Sequence, residues 1–399
     1  MSVKLNSTGG GSVTLDSPST ASNYTVTLPS AAGTLATTTG SLASPTITGT
    51  VAGGATYTSP TLTGASITAA NSNTVEATSG PTSTQLAGNR NKVINGGMAI
   101  DQRNAGAAVT TDGAFPVDRF QTYPGGTGSG QRIAMSNPPE VSGFAYYLKF
   151  IRTGSGSSYS YVSQKIENIK YLSGKQMTFS FYIRGDVINA SGFTVWSEAF
   201  KDDGTFIGYS PNCSTSFAIT STWTRVSMRM DVPVISVDPG TGGGFFRTYL
   251  RCTGPTENFN ISTTGWQWEE GTVATPFENR LYGTELALCQ RYYQKSYSQG
   301  TTPGAIQDLN KQHYGATSTS ANINNNDTPF CVTMRTSPTM TVYNPTTGAT
   351  GTARNFSAST DLAAAFYDVG DQRGMLQINV AVTAVGNVLT YHWTAVAEL

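Results

Sequence analysis

The chain has 399 residues, balances 24 Lys+Arg against 24 Asp+Glu, and is only 12% charged, about half the ~25% of an ordinary soluble domain. Balanced charge supplies no net field for nucleic-acid phosphates, and no stretch approaches the ~20 apolar residues of a membrane-spanning helix. With 59 threonines and 43 glycines long helices are disfavoured, and 10% aromatics at zero net charge departs from the composition of disorder, so the bias is toward strands and turns.

Residues 1–88 hold only Lys4, Asp16 and Glu76 as charged side chains and Tyr24 and Tyr57 as aromatics. Short alternating pieces recur, at Ser12–Leu15 and Tyr24–Leu28. Ser44-Pro45-Thr46-Ile47-Thr48-Gly49 returns as Ser59-Pro60-Thr61-Leu62-Thr63-Gly64, a repeated strand-turn unit that suits a solenoid or fibre. Scattered Val, Leu and Ile cannot offset roughly 1–2 kcal/mol of backbone entropy per residue. The segment is therefore either a flexible linker or a strand donor that folds against other chains, and its alternation favours the donor. The start of the chain lacks the basic and apolar regions of a secretory signal.

From residue 89 onward Trp, Phe, Tyr and Arg appear. Met177–Arg184 alternates, with Met177, Phe179, Phe181 and Ile183 on one face. Lys201-Asp202-Asp203-Gly204-Thr205 carries a hairpin signal. Trp223–Met230 sets Val226, Met228 and Met230 inward, and Phe245–Cys252 does the same with Phe246, Thr248, Leu250 and Cys252. Many short strands predict an antiparallel sandwich over 89–280. Pro239–Gly244 precedes a strand pattern, so it reads as a loop and not as a phosphate cradle. A helix is predicted over 283–295, capped by Thr284, with Leu286, Cys289 and Tyr293 on one face. Strands return at Phe330–Met334, Thr339–Tyr343, Met375–Val380 and Val388–Val396, giving a smaller β domain over 296–399.

Catalytic and metal-binding signals are sparse. His313 and His392 are the only histidines and neither has a metal-ligand spacing. Glycoside hydrolysis needs two carboxylates; Asp202 and Asp203 read as turn residues, and Glu269 and Glu270 point to opposite faces of a strand. Asn95, Asp101 and Asp118 have hard oxygens that suit calcium, with turn hydrogen bonding as the ordinary reading. No enzyme activity, cofactor or metal is expected. Cys213, Cys252, Cys289 and Cys331 read as free buried thiols, with a Cys213–Cys252 bridge as an alternative.

The most specific constellation is on outward strand faces. Tyr182 and Arg184 occupy one strand, Trp223, Arg225 and Arg229 the second, and Phe245, Arg247, Tyr249 and Arg251 the third. If these strands share a sheet, rings and guanidinium groups form one surface, able to bind sugar faces and their hydroxyl, carboxylate or phosphate groups. A subunit or domain interface is the competing reading, because it enriches the same residues. Trp266 and Trp268 share a face and are assigned to core packing, with a sugar platform as the alternative.

Asn91–Arg103 with Val117-Asp118-Arg119-Phe120 resembles the opening of a domain found in bacteriophage tail fibre proteins, and Gln267–Glu278 resembles its closing strand. Glu285–Tyr293, Phe330–Arg335 with Ser337-Pro338, and Trp393–Leu399 are similar to the segments that follow, and Leu28–Ala36 resembles attachment or shaft sequence. The resemblance implies a homotrimeric fibre in the virion, assembled in the host cytoplasm. Residues 1–88 would be an N-terminal shaft docked on a tail or baseplate protein, 89–280 a carbohydrate-binding jelly roll, 281–295 a connector helix, and 296–399 a C-terminal β-sandwich for receptor binding or trimerisation. The expected partner is host polysaccharide or lipopolysaccharide, with no nucleic acid and no membrane insertion. A polysaccharide-depolymerising tailspike and a structural collar or decoration protein are the alternatives.

Overall fold

The computed structural model describes residues 3–6, 12–15, 89–136, 139–188, 192–212, 215–306, 308–315, 323–378 and 384–399. Near the start, β1 (Val3–Asn6) and β2 (Ser12–Leu15) pair antiparallel with Val3 opposite Leu15. They belong to a unit spanning 1–69, separate from one spanning 70–399. The strand predicted at Tyr24–Leu28 and the Ser-Pro-Thr repeat lie outside the described residues.

In the larger unit the chain runs through β3 (Ala114–Val117), β4 (Phe120–Tyr123), β5 (Gly128–Ala134), β6 (Tyr146–Arg152), β7 (Tyr159–Glu167), β8 (Met177–Ile188), β9 (Phe193–Phe200), β10 (Phe206–Tyr209), β11 (Thr215–Phe217), β12 (Thr224–Arg229), β13 (Phe245–Thr253) and β14 (Phe259–Glu270). These form two antiparallel sheets. One has the order β12-β8-β14-β6-β5, and the other the order β10-β9-β13-β7-β4-β3 with β11 also paired to β9. The all-β class is what the composition predicts. Alternation sets the inner faces: Met177, Phe179, Phe181 and Ile183 are fully buried from β8, as are Phe246, Leu250 and Cys252 from β13.

Trp266 and Trp268 of β14 lie between the sheets, in the core position predicted for them. Trp268 stacks on Phe246 at 4.8 Å, and Trp266 meets the edge of Phe120 at 5.1 Å. Truncating a ring so enclosed removes about 3–5 kcal/mol in general. The segment ahead of β3 is bound to β14: Lys92 N donates to Trp268 O at 2.8 Å, and Trp266 N to Gly96 O at 3.0 Å. A Cβ at position 96 would lie 2.1 Å from Trp266 O, so glycine alone fits there.

The hairpin predicted at 201–205 joins β9 to β10, with Lys201 N bonded to Thr205 O. The Pro239–Gly244 run is a loop, and its amides are occupied: Gly242 N and Gly244 N donate to the two Asp202 carboxylate oxygens at 2.7 and 2.9 Å.

The helix differs from expectation. It is α1 (Tyr282–Gln290), begins at Leu281 without a side-chain cap, and ends before Tyr293. Thr284 sits inside its first turn. Tyr293 instead opens β15 (Tyr293–Lys295), because the chain's last strand, β22 (Val388–Val396), offers it a hydrogen-bonding edge; long-range pairing overrides local periodicity here.

The remaining strands are β16 (Gln312–Gly315), β17 (Ile323–Pro329), β18 (Thr339–Tyr343), β19 (Thr352–Asn355), β20 (Thr360–Tyr367) and β21 (Arg373–Ile378). The C-terminal β-sandwich forms around β22, which pairs with β15 and β18 along one half and with β16 and β19 along the other. Leu389, Tyr391, Trp393 and Ala395 enter its core with Leu362, Leu376 and Ile378. Phe330–Met334 is not a strand. Its backbone is held by loops and by a side chain: Gln294 accepts from Cys331 N and donates to Val332 O, and Met334 N donates to Asp371 O.

The two sandwiches meet through ion pairs and rings. Arg119 and Arg103 both bind the Glu398 carboxylate, Arg103 at 2.8 Å. Their guanidinium groups also cover Tyr292 and Tyr293, at 3.4 and 3.9 Å.

Cys252 and Cys289 are free and buried, whereas Cys331 is free but exposed, contrary to the buried-thiol expectation, because its loop lies outside the core. Cys213 lies outside the described residues.

Candidate functional site

The nine residues picked from the sequence do not form one surface. Tyr182 and Arg184 on β8 and Trp223, Arg225 and Arg229 on or beside β12 belong to the five-stranded sheet, with Arg225 directly opposite Tyr182. Phe245, Arg247, Tyr249 and Arg251 belong to β13 in the seven-stranded sheet. Alternation identified the outward face of each strand correctly but carried no information about which sheet each strand joins.

On the five-stranded sheet each of these cations is bonded within the chain. Arg184 pairs with Glu140 at 2.6 Å, and Trp223 Nε1 donates to the same carboxylate at 2.7 Å. Arg225 donates to Ser180 Oγ and to Thr275 O. Arg229 pairs with Asp231 at 2.6 Å. Tyr182 packs edge-on against Phe144 at 5.5 Å. These side chains fasten loops onto the sheet.

The outer face of the seven-stranded sheet is different. Antiparallel register aligns outward residues in rows across β9, β13 and β7. Glu198, Arg247 and Lys165 form one row, Trp196, Tyr249 and Ser163 the next, and Thr194, Arg251 and Tyr161 the third. Tyr159 on β7 and Tyr123 on β4 extend the ring cluster, with Tyr123 stacked on Tyr161 at 5.1 Å and on Tyr159 at 5.7 Å. Phe245 lies at the margin, stacked on Phe200 at 5.0 Å.

Tyr159, Tyr161, Trp196, Glu198, Arg247, Tyr249 and Arg251 line a cavity of about 280 Å³. Each guanidinium lies against two rings. Arg247 lies 4.8 Å from Tyr161 and 4.5 Å from Tyr249, and Arg251 lies 5.2 Å from Tyr159 and 5.1 Å from Trp196. Such contacts are worth about 0.5–2 kcal/mol each and hold the forks in fixed planes. Arg247 donates to Gln121 Oε1 at 2.9 Å and to Ser163 Oγ at 3.2 Å. Glu198 accepts from Trp196 Nε1 at 2.7 Å and from the Tyr249 hydroxyl at 2.8 Å. Burial raises the Tyr161 and Tyr249 phenols above their ordinary values, with Arg247 pulling the other way, so both stay protonated at neutral pH. Burial, followed by the charges of Arg247 and Arg119, lowers the Lys165 ammonium to about 8.

Sequence reasoning found the three polar residues of β13 and missed the rest. Tyr159, Tyr161, Trp196 and Glu198 were legible in principle. Tyr159–Glu167 buries Ser160, Val162, Gln164 and Ile166, and Phe193–Phe200 buries Phe193, Val195, Ser197 and Ala199, so each strand presents the opposite set outward.

The calcium candidates have other partners. Asn95 bonds Ile100 and the Asp118 backbone, Asp101 accepts from Asn104 and Gly106, and Asp118 accepts from Gln102 and Arg103. Among the described residues no group of three or more His, Cys, Asp or Glu is placed to hold a metal, and no helix is long and apolar enough to cross a membrane. Glu269 is buried and bonded to Gln267 and Thr275, while Glu270 pairs with Lys175.

No protein-family model and no curated protein matches the chain. Similar solved structures include the enzymatically active domain of tailspike protein 4 of bacteriophage CBA120, at 12% identity over 46% of this chain and 22% of that one, with a TM-score of 0.30. A carbohydrate-binding module of the β-sandwich superfamily, described for its promiscuous specificity, is 16% identical over 43% of this chain and 63% of its own, with a TM-score of 0.29. A family 11 carbohydrate-binding module from Clostridium thermocellum, in complex with a β-1,3-1,4-mixed-linked tetrasaccharide, is 11% identical over 42% of this chain and 98% of that one, with a TM-score of 0.27. The chain thus spans less than a quarter of the tailspike domain and less than two thirds of the promiscuous module. At these identities no site residue is transferred from any of them.

Proposed function

We propose that this protein is a glycan-binding component of a phage tail fibre, and that the outer face of the seven-stranded sheet is its saccharide site. The observation that carries the binding site is the cavity of about 280 Å³ with rings and arginine forks on its walls. Aromatic faces take the apolar side of a pyranose and fixed donors take its oxygens. Glu198 is the one carboxylate among the residues lining the cavity, whereas glycoside hydrolysis generally uses two; this supports binding without cleavage.

The fibre reading rests on the resemblance of the 91–103, 267–278 and 393–399 segments to tail fibre domains. In it, residues 1–88 dock on the tail and intertwine three chains, and three weak sites on one stalk gain avidity. The test is a glycan array probed with the full chain, alongside sedimentation. Binding of saccharides by an assembly of about three times the 42.1 kDa monomer is expected. A monomer would remove the fibre reading, and an array without signal would remove the saccharide site.

A further inference from the structure

Resting on the saccharide reading of this face, we infer that the ligand is an anionic glycan, one whose sugars carry oxyanion groups (carboxylate, sulfate or phosphate). Two guanidinium groups and one carboxylate line the cavity, and among the described residues neither guanidinium is paired with a carboxylate. Glu198 lies directly opposite Arg247 in register, yet its two oxygens are bonded to Trp196 and Tyr249, both neutral donors.

Arg251 is more exposed to this imbalance. Its guanidinium is held only against the Tyr159 and Trp196 rings, and its Nε is buried without a hydrogen-bond partner. Among the described residues no carboxylate pairs with the rest of the fork, so its countercharge is left to an acceptor from outside. On the opposite sheet the Arg184 Nε is likewise buried without a partner, but Arg184 and Arg229 each have a carboxylate at 2.6 Å.

The pair also sets a length. Arg247 and Arg251 are four residues apart on one strand, so their stems are about 14 Å apart at ~3.4 Å per residue, with Tyr249 between them. A planar fork held against rings matches an oxyanion bidentately. One sugar ring does not span the two stems, so engaging both calls for an oligosaccharide with more than one acidic unit.

The experiment uses the full chain on an array of matched oligosaccharides. Uronate- and sialate-bearing members are printed beside their carboxyl-reduced forms, and sulfated and phosphorylated members beside their unsubstituted forms. At least tenfold weaker binding on removal of the acidic group is expected, and the arm that shows it identifies the oxyanion. Affinity for that member should fall with added salt. Arg251→Gln should lose at least tenfold of the acidic preference, Arg251→Lys should keep part of it, and Glu198→Gln should raise acidic binding several-fold. Equal binding of acidic and neutral partners, or unchanged preference in all three variants while binding persists, overturns the anionic assignment but leaves the saccharide site standing. No binding of any member removes the saccharide site itself.

Discussion

The outer faces of the two sheets in the larger sandwich are built from the same residue types and have opposite consequences. On the five-stranded sheet each arginine finds a carboxylate or a carbonyl within the chain, and each ring packs against a neighbouring loop or side chain. On the seven-stranded sheet neither Arg247 nor Arg251 has a carboxylate partner among the described residues, and a cavity stays open between them. Composition of a face therefore does not separate a fastening from a binding surface. What separates them is whether an open cavity is left among the rings and guanidinium groups.

The largest expected effect tests that separation directly. Replacing Tyr161 and Trp196 together by alanine removes one ring from beside each arginine, and saccharide binding should fall by about 3 kcal/mol, on the order of 100-fold. Trp223→Ala, on the other sheet, should leave affinity within about twofold. Calorimetric titration of both variants decides it, and the reverse pattern would place the ligand on the five-stranded sheet.

Arg225→Ala should act on folding instead. It leaves Thr275 O and Ser180 Oγ without their charged donor, a loss of about 2 kcal/mol, read as a lower urea midpoint with unchanged saccharide affinity. Weakened binding at full stability would show that the fastening assignment is wrong.

A smaller, graded effect concerns pH. The Lys165 ammonium is lowered from 10.5 to about 8, by burial first and then by Arg247 and Arg119. Between these values the unfolded chain binds the proton that the folded one has released. Stability therefore rises with pH across that window, and below about 8 the crowded charge is retained at a cost. Urea midpoints should climb from about pH 8 upward in the wild type and less steeply in Lys165→Met, which keeps the similarly lowered Lys295. Parallel slopes in the two proteins would mean that this face is less crowded with positive charge than its geometry indicates.

The sequence disclosed faces better than neighbours. Met177–Ile183 and Phe246–Cys252 were legible because one buried side imposes a period of two. That β8 and β13 lie in opposed sheets was not, since period reports the face of a strand and says nothing of its hydrogen-bonding partner. Phe330–Met334 misled for a related reason: its apolar residues resemble a strand, but their backbone bonds go to Gln294 and Asp371. Likewise Tyr293 fits a helical stripe until the edge of β22 competes for it. At the candidate site, three residues of β13 were found from their own strand, while the rings of β7 and β9 that give the arginines their orientation required the register between strands.

Glu398 joins Arg103 and Arg119, two residues from the other sandwich, through one carboxylate. Mechanically it acts as a rivet. Arg119 also donates to Lys165 O on β7, one of the strands of the ring cluster. The C-terminal sandwich is thereby tied to the proposed saccharide site by side-chain bonds as well as by the intervening backbone.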